Sequence, residues 1–241
     1  MKFNTEKRNN MRGLVIIPAY NEEKSIEKTV RDIEKNAPDF DYVIVNDGST
    51  DETLNIAKKN RFNIISLPVN LGIGGAVQTG YRYAKKYGYD YAVQVDGDGQ
   101  HDPAFLEEML YYCVKNKVNM VIGSRYLRKE GFQSSKIRRV GISYFSGLIS
   151  FFTKQKITDP TSGLRMGDRK IIELFSEEYP KDYPKPETIV SAINHKLVVK
   201  EIPVVMRERM EGESSITPRK SIYYMVKVSI AIFIEAMRKG K

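Results

Sequence analysis

The sequence predicts an α/β protein with a mostly parallel central sheet and helices on both faces. Three observations carry this expectation. Between Arg12 and Ser124, short apolar runs alternate with amphipathic stretches of helical length, the pattern of strand–helix units laid side by side. The runs are apolar throughout, as strands covered on both faces must be. At 241 residues, 41% of them hydrophobic, the chain is long enough for one large domain with a substantial core.

The elements follow in order. "LVIIP", "YVIVN", "NIISL", "YAVQV" and "NMVIG" are the expected strands. The stretches between and after them run approximately over Glu22–Asn36, Asp51–Asn60, Ile73–Tyr87 and Pro103–Lys117. Ser49 with Glu52 reads as a capping box ahead of the second helix, and Asp102 before Pro103 as an N-cap with proline in the first turn. Beyond Ser124 the character changes. Lys136–Lys156 has basic ends around an apolar, aromatic middle, which suits a helix lying in a membrane interface, with a core helix as the alternative. Residues 218–239 repeat the pattern as a C-terminal amphipathic helix, interrupted by Lys227 and Glu235. That segment could rest on a membrane, cap the core, or dock on a small membrane partner. No repeat or low-complexity linker divides the chain, so a single domain over 1–241 is expected.

Composition narrows the partners. A net charge of +9 favours an anionic partner such as a nucleotide-bearing substrate or an acidic membrane surface. Cys113 is the only cysteine, which excludes an intramolecular disulfide and a cysteine-rich zinc site. Within its apolar helix it reads as buried filler. The polar N-terminus lacks the apolar centre of a secretory signal. No run reaches roughly 18 uncharged apolar residues, so no membrane span is expected.

In sheets of this kind, ligands sit outside the carboxyl ends of the strands. Four strand ends here carry chemistry: "PAYNEE", "NDGSTD", "DGDGQ" and "SRY". Asp96 and Asp98, one residue apart and flanked by glycines, can turn toward a single point. Mg²⁺ takes oxygen ligands and commonly keeps substrate phosphates in its shell, so two such carboxylates suit a cation carrying a phosphate. An ordinary Asx-rich turn is the plainer reading of the same residues. A dinucleotide-binding oxidoreductase fits poorly, because "GIGG" at Gly72–Gly75 lacks the third glycine of that fingerprint and follows the third strand. A nucleic-acid module fits poorly too, because the carboxylate-rich rim would repel phosphates and no stacked-aromatic signature appears.

Seven motifs resemble glycosyltransferase family 2 enzymes of GT-A fold, in particular dolichol-phosphate mannose synthases and bacterial polyprenyl-phosphate glycosyltransferases. They are "IIPAYNEE", "VNDGSTD", "NLGIGGAVQTGYRYA", "DGDGQHDP", "GSRY", "DPTSGLR" and "RMEGESS", in the family's order and over nearly all of the chain. The resemblance implies a GT-A nucleotide-diphospho-sugar transferase fold and an inverting, metal-dependent transferase. A sugar would move from a UDP- or GDP-linked donor to polyprenyl phosphate at the cytoplasmic membrane face. The alternative is extension of a lipid-linked glycan in cell-surface polysaccharide synthesis. Because the chain has no expected span, peripheral attachment at the inner face of the membrane follows, with a small membrane-anchor protein as a candidate partner.

The resemblance also implies residue roles. Pro18, Ala19, Tyr20 and Glu22 would wrap the base and ribose, and Asp47 would bond the base. Gly72 and Ser214 belong with the nucleotide-sugar contacts. Asp96 would touch ribose or sugar, and with Asp98 and Gln100 it is a candidate ligand of Mg²⁺ or Mn²⁺. Arg125, Arg139 and Arg209 match arginines around the donor diphosphate and the acceptor phosphate, work suited to arginine's fixed fork of donors. Asp159 and Glu187 are the candidate catalytic bases for a hydroxyl acceptor; an acceptor that is already an anion needs no strong base. "PKDYPKPE" departs from the "EFE"-like pattern of polyprenyl-phosphate synthases, so acceptor and base both stay open. His101 receives no role.

Overall fold

In a computed structural model, the protein is described for residues 11–128, 130, 136–180, 184–207 and 218–238. Alternation begins with β1 (Gly13–Ala19), α1 (Ile26–Asn36), β2 (Phe40–Asn46), α2 (Thr53–Lys59), β3 (Ile64–Ser66) and α3 (Gly72–Lys86). It continues through β4 (Tyr91–Gln94), a short 3₁₀ turn (Pro103–Phe105), α4 (Leu106–Asn116) and β5 (Met120–Ser124). All five expected strands and their helices are therefore present. Asp102 caps the 3₁₀ turn, its side chain accepting from the Ala104 N–H.

The Ser49–Glu52 capping box does not form. Glu52 caps α2 without a side-chain bond, and Ser49 Oγ instead accepts the Asn21 N–H at 3.0 Å. Asp51 takes over the helix start, with Oδ1 accepting from Thr53 N–H at 3.0 Å. Tertiary stitching between two loops has displaced a local cap.

The second half supplies α5 (Lys136–Thr153), β6 (Arg165–Asp168), α6 (Arg169–Glu177), α7 (Pro184–Asn194), β7 (Val199–Pro203) and α8 (Pro218–Met237). Neither β6 nor β7 is legible from apolar periodicity: "RMGD" and "VKEIP" are short and half polar. The described strands form one sheet in the order β3-β2-β1-β4-β6-β5-β7. Every neighbour pair is parallel except those made by β6, which runs antiparallel to both β4 and β5. This reversal has a functional consequence. Arg165, the first residue of β6, lies opposite Gln94, the last residue of β4, and Ile122 in the middle of β5. Residues 159–164 are thereby delivered to the carboxyl rim, where the other polar strand ends already stand.

The period-two alternation of β1 divides the core. Leu14 and Ile16 belong to one buried cluster, with α3, α5, α6, α7 and α8. Val15 and Ile17 belong to the other, with α1 and α4. All four side chains are fully buried, and each contributes about 1.5–3 kcal/mol by leaving water.

Candidate active site

The carboxyl rim holds an open cavity of about 400 Å³ lined by Pro18, Ala19, Tyr20, Glu22, Asp47, Asn70, Gly72, Ile73, Ala76, Asp96, Gly97, Asp98 and Lys185. That volume lies in the range of small-molecule sites. Eight residues singled out from the sequence thus share one wall: Pro18, Ala19, Tyr20, Glu22, Asp47, Gly72, Asp96 and Asp98. Gln100, Arg125, Arg139, Asp159 and Glu187 are not among its lining residues, and Arg209 and Ser214 lie outside the described residues.

The loops after β1 and β2 are tied together. Asn21 Oδ1 accepts the Thr50 N–H at 2.9 Å, Thr53 Oγ1 accepts the Glu22 N–H at 2.8 Å, and Asp51 Oδ2 accepts the Glu23 N–H at 3.1 Å. Burial pushes the Asp51 carboxyl upward, but bonds from Thr53 and Glu23 outweigh it and hold the group below its ordinary value. Glu22 itself turns one oxygen to Ser25 Oγ, 2.7 Å away.

Asp47, 3% exposed, sits at the end of β2. Its Oδ1 accepts the Leu71 N–H at 2.7 Å, which draws the start of α3 against the cavity. Gly48 follows with φ of +68°, and a Cβ there would meet Asn70 N at 2.8 Å. Both the left-handed backbone and the close approach of residues 69–70 require glycine.

Beyond β4, Asp96 is ringed by partners. Gln94 Nε2 donates to Oδ1 at 2.7 Å, and Lys185 Nζ donates to Oδ2 at 3.2 Å. Burial alone would raise this carboxyl; the Lys185 ammonium leads the interactions that hold it well below the usual range. His101, 4% exposed, is not a solvent-side residue. Its Nδ1 accepts the Asp96 N–H at 3.0 Å, which leaves the ring proton on Nε2, 3.9 Å from Asp96 Oδ2. Burial lowers its pKa against the pull of Asp96, so the ring is neutral and serves as a buried brace. Asp98 is 6% exposed, and its Oδ1 accepts the Gln100 N–H at 3.0 Å. The Gln100 carbonyl in turn accepts the Arg207 N–H at 3.0 Å, and Arg207 is ion-paired to Asp102 at 2.8 Å.

Arg125 and Asp159 are locked to each other. Arg125 Nε and Nη2 donate to the two Asp159 oxygens, each at 2.7 Å, and the Arg125 N–H adds a third bond at 3.2 Å. Asp159 is fully buried and Arg125 is 7% exposed. Sequence reading missed what holds the pair: Glu201, at the centre of β7, accepts the Thr158 and Asp159 N–H groups at 2.7 and 2.8 Å. Burial raises the Glu201 carboxyl despite those bonds. Arg139 is exposed on α5. Glu187 lies in the first turn of α7, half-buried.

The class of protein defined by this fold and rim is the GT-A glycosyltransferase. The chain aligns with glucosyl-3-phosphoglycerate synthase from Mycobacterium tuberculosis, solved with Mn²⁺, uridine diphosphate and phosphoglyceric acid, at a TM-score of 0.72 and 17% identity. That alignment covers 96% of this chain and 80% of the other. A sequence model of glycosyl transferase family 2 matches residues 14–175. The chain belongs to glycosyl transferase family 2. Its relatives include the UDP-N-acetylglucosamine–dolichyl-phosphate N-acetylglucosaminyltransferase of Methanococcus voltae, 31% identical over 79% of this chain and 83% of that protein. The polyprenol monophosphomannose synthase of Mycolicibacterium smegmatis is 30% identical over 90% and 86%.

Proposed function

We propose that the protein moves a sugar from a nucleoside-diphosphate sugar to a polyprenyl phosphate at the cytoplasmic face of the cell membrane. The observation that carries this is the shared cavity, which Glu22, Asp47, Asp96 and Asp98 line together, all from strand ends brought to one rim. The two relatives named for polyprenyl or dolichyl phosphate support the acceptor class.

A divalent cation fits the residues present. Among the described residues no three His, Cys, Asp or Glu side chains form a self-sufficient cage. The Asp98 carboxylate, with Asp96 beside it in the same cavity, is a hard oxygen donor whose cation shell a diphosphate completes, which is how Mg²⁺ is commonly bound. Asp98 and Gln100, beside Asp96, would hold Mg²⁺ or Mn²⁺. The cation would neutralise charge gathering on the departing nucleoside diphosphate.

The protein's own residues do the rest. Pro18, Ala19, Tyr20, Glu22 and Asp47 are the lining residues suited to base and ribose, with the Asp47 carboxylate an acceptor for a base N–H. Arg125 stands at the end of β5 with its guanidinium plane fixed by Asp159 and Thr161, a fixed positive charge at the rim that faces an anionic acceptor. Asp159, bonded through both oxygens, acts as the positioner of Arg125 rather than as a proton acceptor. A phosphate acceptor needs none: its oxygen attacks the anomeric carbon, the bond to the donor diphosphate breaks, and the electron pair leaves with the diphosphate.

The helices α5 and α8 support attachment to a membrane surface. Phe145 and Ile149 of α5 and Val228 and Ile232 of α8 enter the core, and Ile142 is buried beside them on α5. Tyr144, Phe151, Ile230, Phe233 and Ile234 are 46–67% exposed, with Arg139, Lys154 and Lys227 also exposed. Among the described residues no helix is long and apolar enough to cross a membrane. The test is incubation with labelled UDP- and GDP-sugars, Mn²⁺ and a membrane lipid extract. Label on a lipid monophosphate supports the proposal, and label only on longer lipid-linked glycans would replace the acceptor. Asp98→Ala is expected to abolish turnover with an unchanged melting curve; retained turnover would sink the cation site.

A further inference from the structure

Lys185 stands in the cavity although no motif announces it. It is the second residue of α7, between Pro184 and Pro186, both buried. Prolines fix φ and pre-set the first helical turn, so its backbone is firmly placed. Thr188 fastens the same turn, donating to the Pro184 carbonyl and accepting from Arg165 Nη1, both at 2.6 Å. From that base Nζ reaches Asp96 Oδ2 at 3.2 Å. Long lysine side chains usually wander; this one is about two-thirds buried and anchored at both ends. A Cβ on Gly163 would lie 2.7 Å from Asp96 Oδ2 and 3.0 Å from Lys185 Nζ. The pair lies against the bare backbone of Gly163, and a side chain there would have to push it aside.

Resting on the donor-site reading above, we propose that Lys185 is a positioning residue that gives Asp96 and Asp98 different duties. By serving as the resident counter-ion of Asp96, it keeps that carboxylate out of the cation's shell and turned toward hydroxyls of the donor. The cation then rests on Asp98, Gln100 and the donor diphosphate. The physical reason is simple. Both Asp96 oxygens are already engaged, Oδ1 by Gln94 and Oδ2 by Lys185, and a fixed ammonium beside Oδ2 repels a second cation there. Two adjacent carboxylates would otherwise compete for one metal.

The experiment is Mn²⁺ binding without turnover, read from the spin-resonance signal of free Mn²⁺ with UDP or GDP present. The variants are Lys185→Met, Lys185→Arg, Asp96→Asn, Asp98→Asn and the Lys185→Met/Asp96→Asn double. Asp98→Asn should weaken Mn²⁺ binding by roughly tenfold or more, while Asp96→Asn should change it by less than about twofold. Lys185→Met should tighten it by roughly tenfold, and Lys185→Arg should restore the wild-type value. In the Asp96→Asn background, Lys185→Met should have almost no effect, because the lysine acts through that carboxylate. Equal tightening in both backgrounds would mean a general charge effect and overturn the proposal. So would an unchanged Lys185→Met protein, or an Asp96→Asn protein as impaired as Asp98→Asn. Melting curves identify a misfolded variant, for which Lys185→Gln substitutes. A wild-type protein that binds neither nucleotide nor Mn²⁺ would instead sink the donor-site reading itself.

Discussion

The pair Arg125–Asp159 shows how much at this rim depends on single side chains. A guanidinium and a carboxylate in bidentate contact at 2.7 Å, with Asp159 wholly buried, hold together because each satisfies the other. Removing one partner leaves an uncompensated buried charge, which costs about 3 kcal/mol or more. Asp159→Asn is therefore expected to lower the melting temperature by roughly 6–12 °C and to reduce turnover through a displaced Arg125. Differential scanning calorimetry checks the first effect; an unchanged melting temperature would show that the pair contributes little. The sequence displayed both residues, in "GSRY" and "DPTSGLR", but not their embrace. They are 34 positions apart, and no local rule predicts that an antiparallel strand will carry one to the other. In the proposed reading, that contact makes the candidate base a brace.

At the scale of elements, the loop junction and the paired helices make separate predictions. Asp51 joins the loop after β1 to the start of α2, and its carboxyl is held below the ordinary value. A depressed carboxylate contributes stability that is present above its unfolded pKa and lost as pH falls through the folded one. Asp51→Ala should thus lower stability at neutral pH and flatten the acid limb of the stability profile. Chemical denaturation at a series of acid pH values measures it, and an identical slope in both proteins would refute the linkage. Helices α5 and α8 were legible as amphipathic segments, and the structure divides their apolar residues between core and surface. Phe151 and Ile230 are 67% and 52% exposed. Phe151→Asp with Ile230→Asp should leave the melting temperature and nucleotide binding intact while reducing flotation with liposomes. Undiminished flotation would move membrane contact elsewhere. Strands β6 and β7 escaped the sequence reading because a four- or five-residue half-polar segment carries too little periodicity to be told from a loop.

Across the whole molecule, charge and topology act together. A net charge of +9 surrounds a rim whose strand ends are acidic. Long-range attraction to an anionic surface is screened by salt, whereas apolar insertion is not. Binding to vesicles of anionic phospholipid should accordingly fall steeply between about 0.05 and about 0.5 M salt, and binding to neutral vesicles should be weak throughout. Sedimentation with the two vesicle types checks this. Salt-independent binding would mean that the apolar faces of α5 and α8 act alone.

The sequence by itself determined the five leading strands, the helices between them, the polar strand ends and the family, because each is written in local periodicity or contiguous motif. Tertiary structure alone decided the reversal of β6, the Glu201 support beneath Asp159, and the meeting of Lys185 with Asp96 across 89 positions. Those outcomes depend on which segments the assembled sheet brings to one rim. Such proximity is a property of the packed whole, and hydrogen bonds and ion pairs form wherever it places the partners.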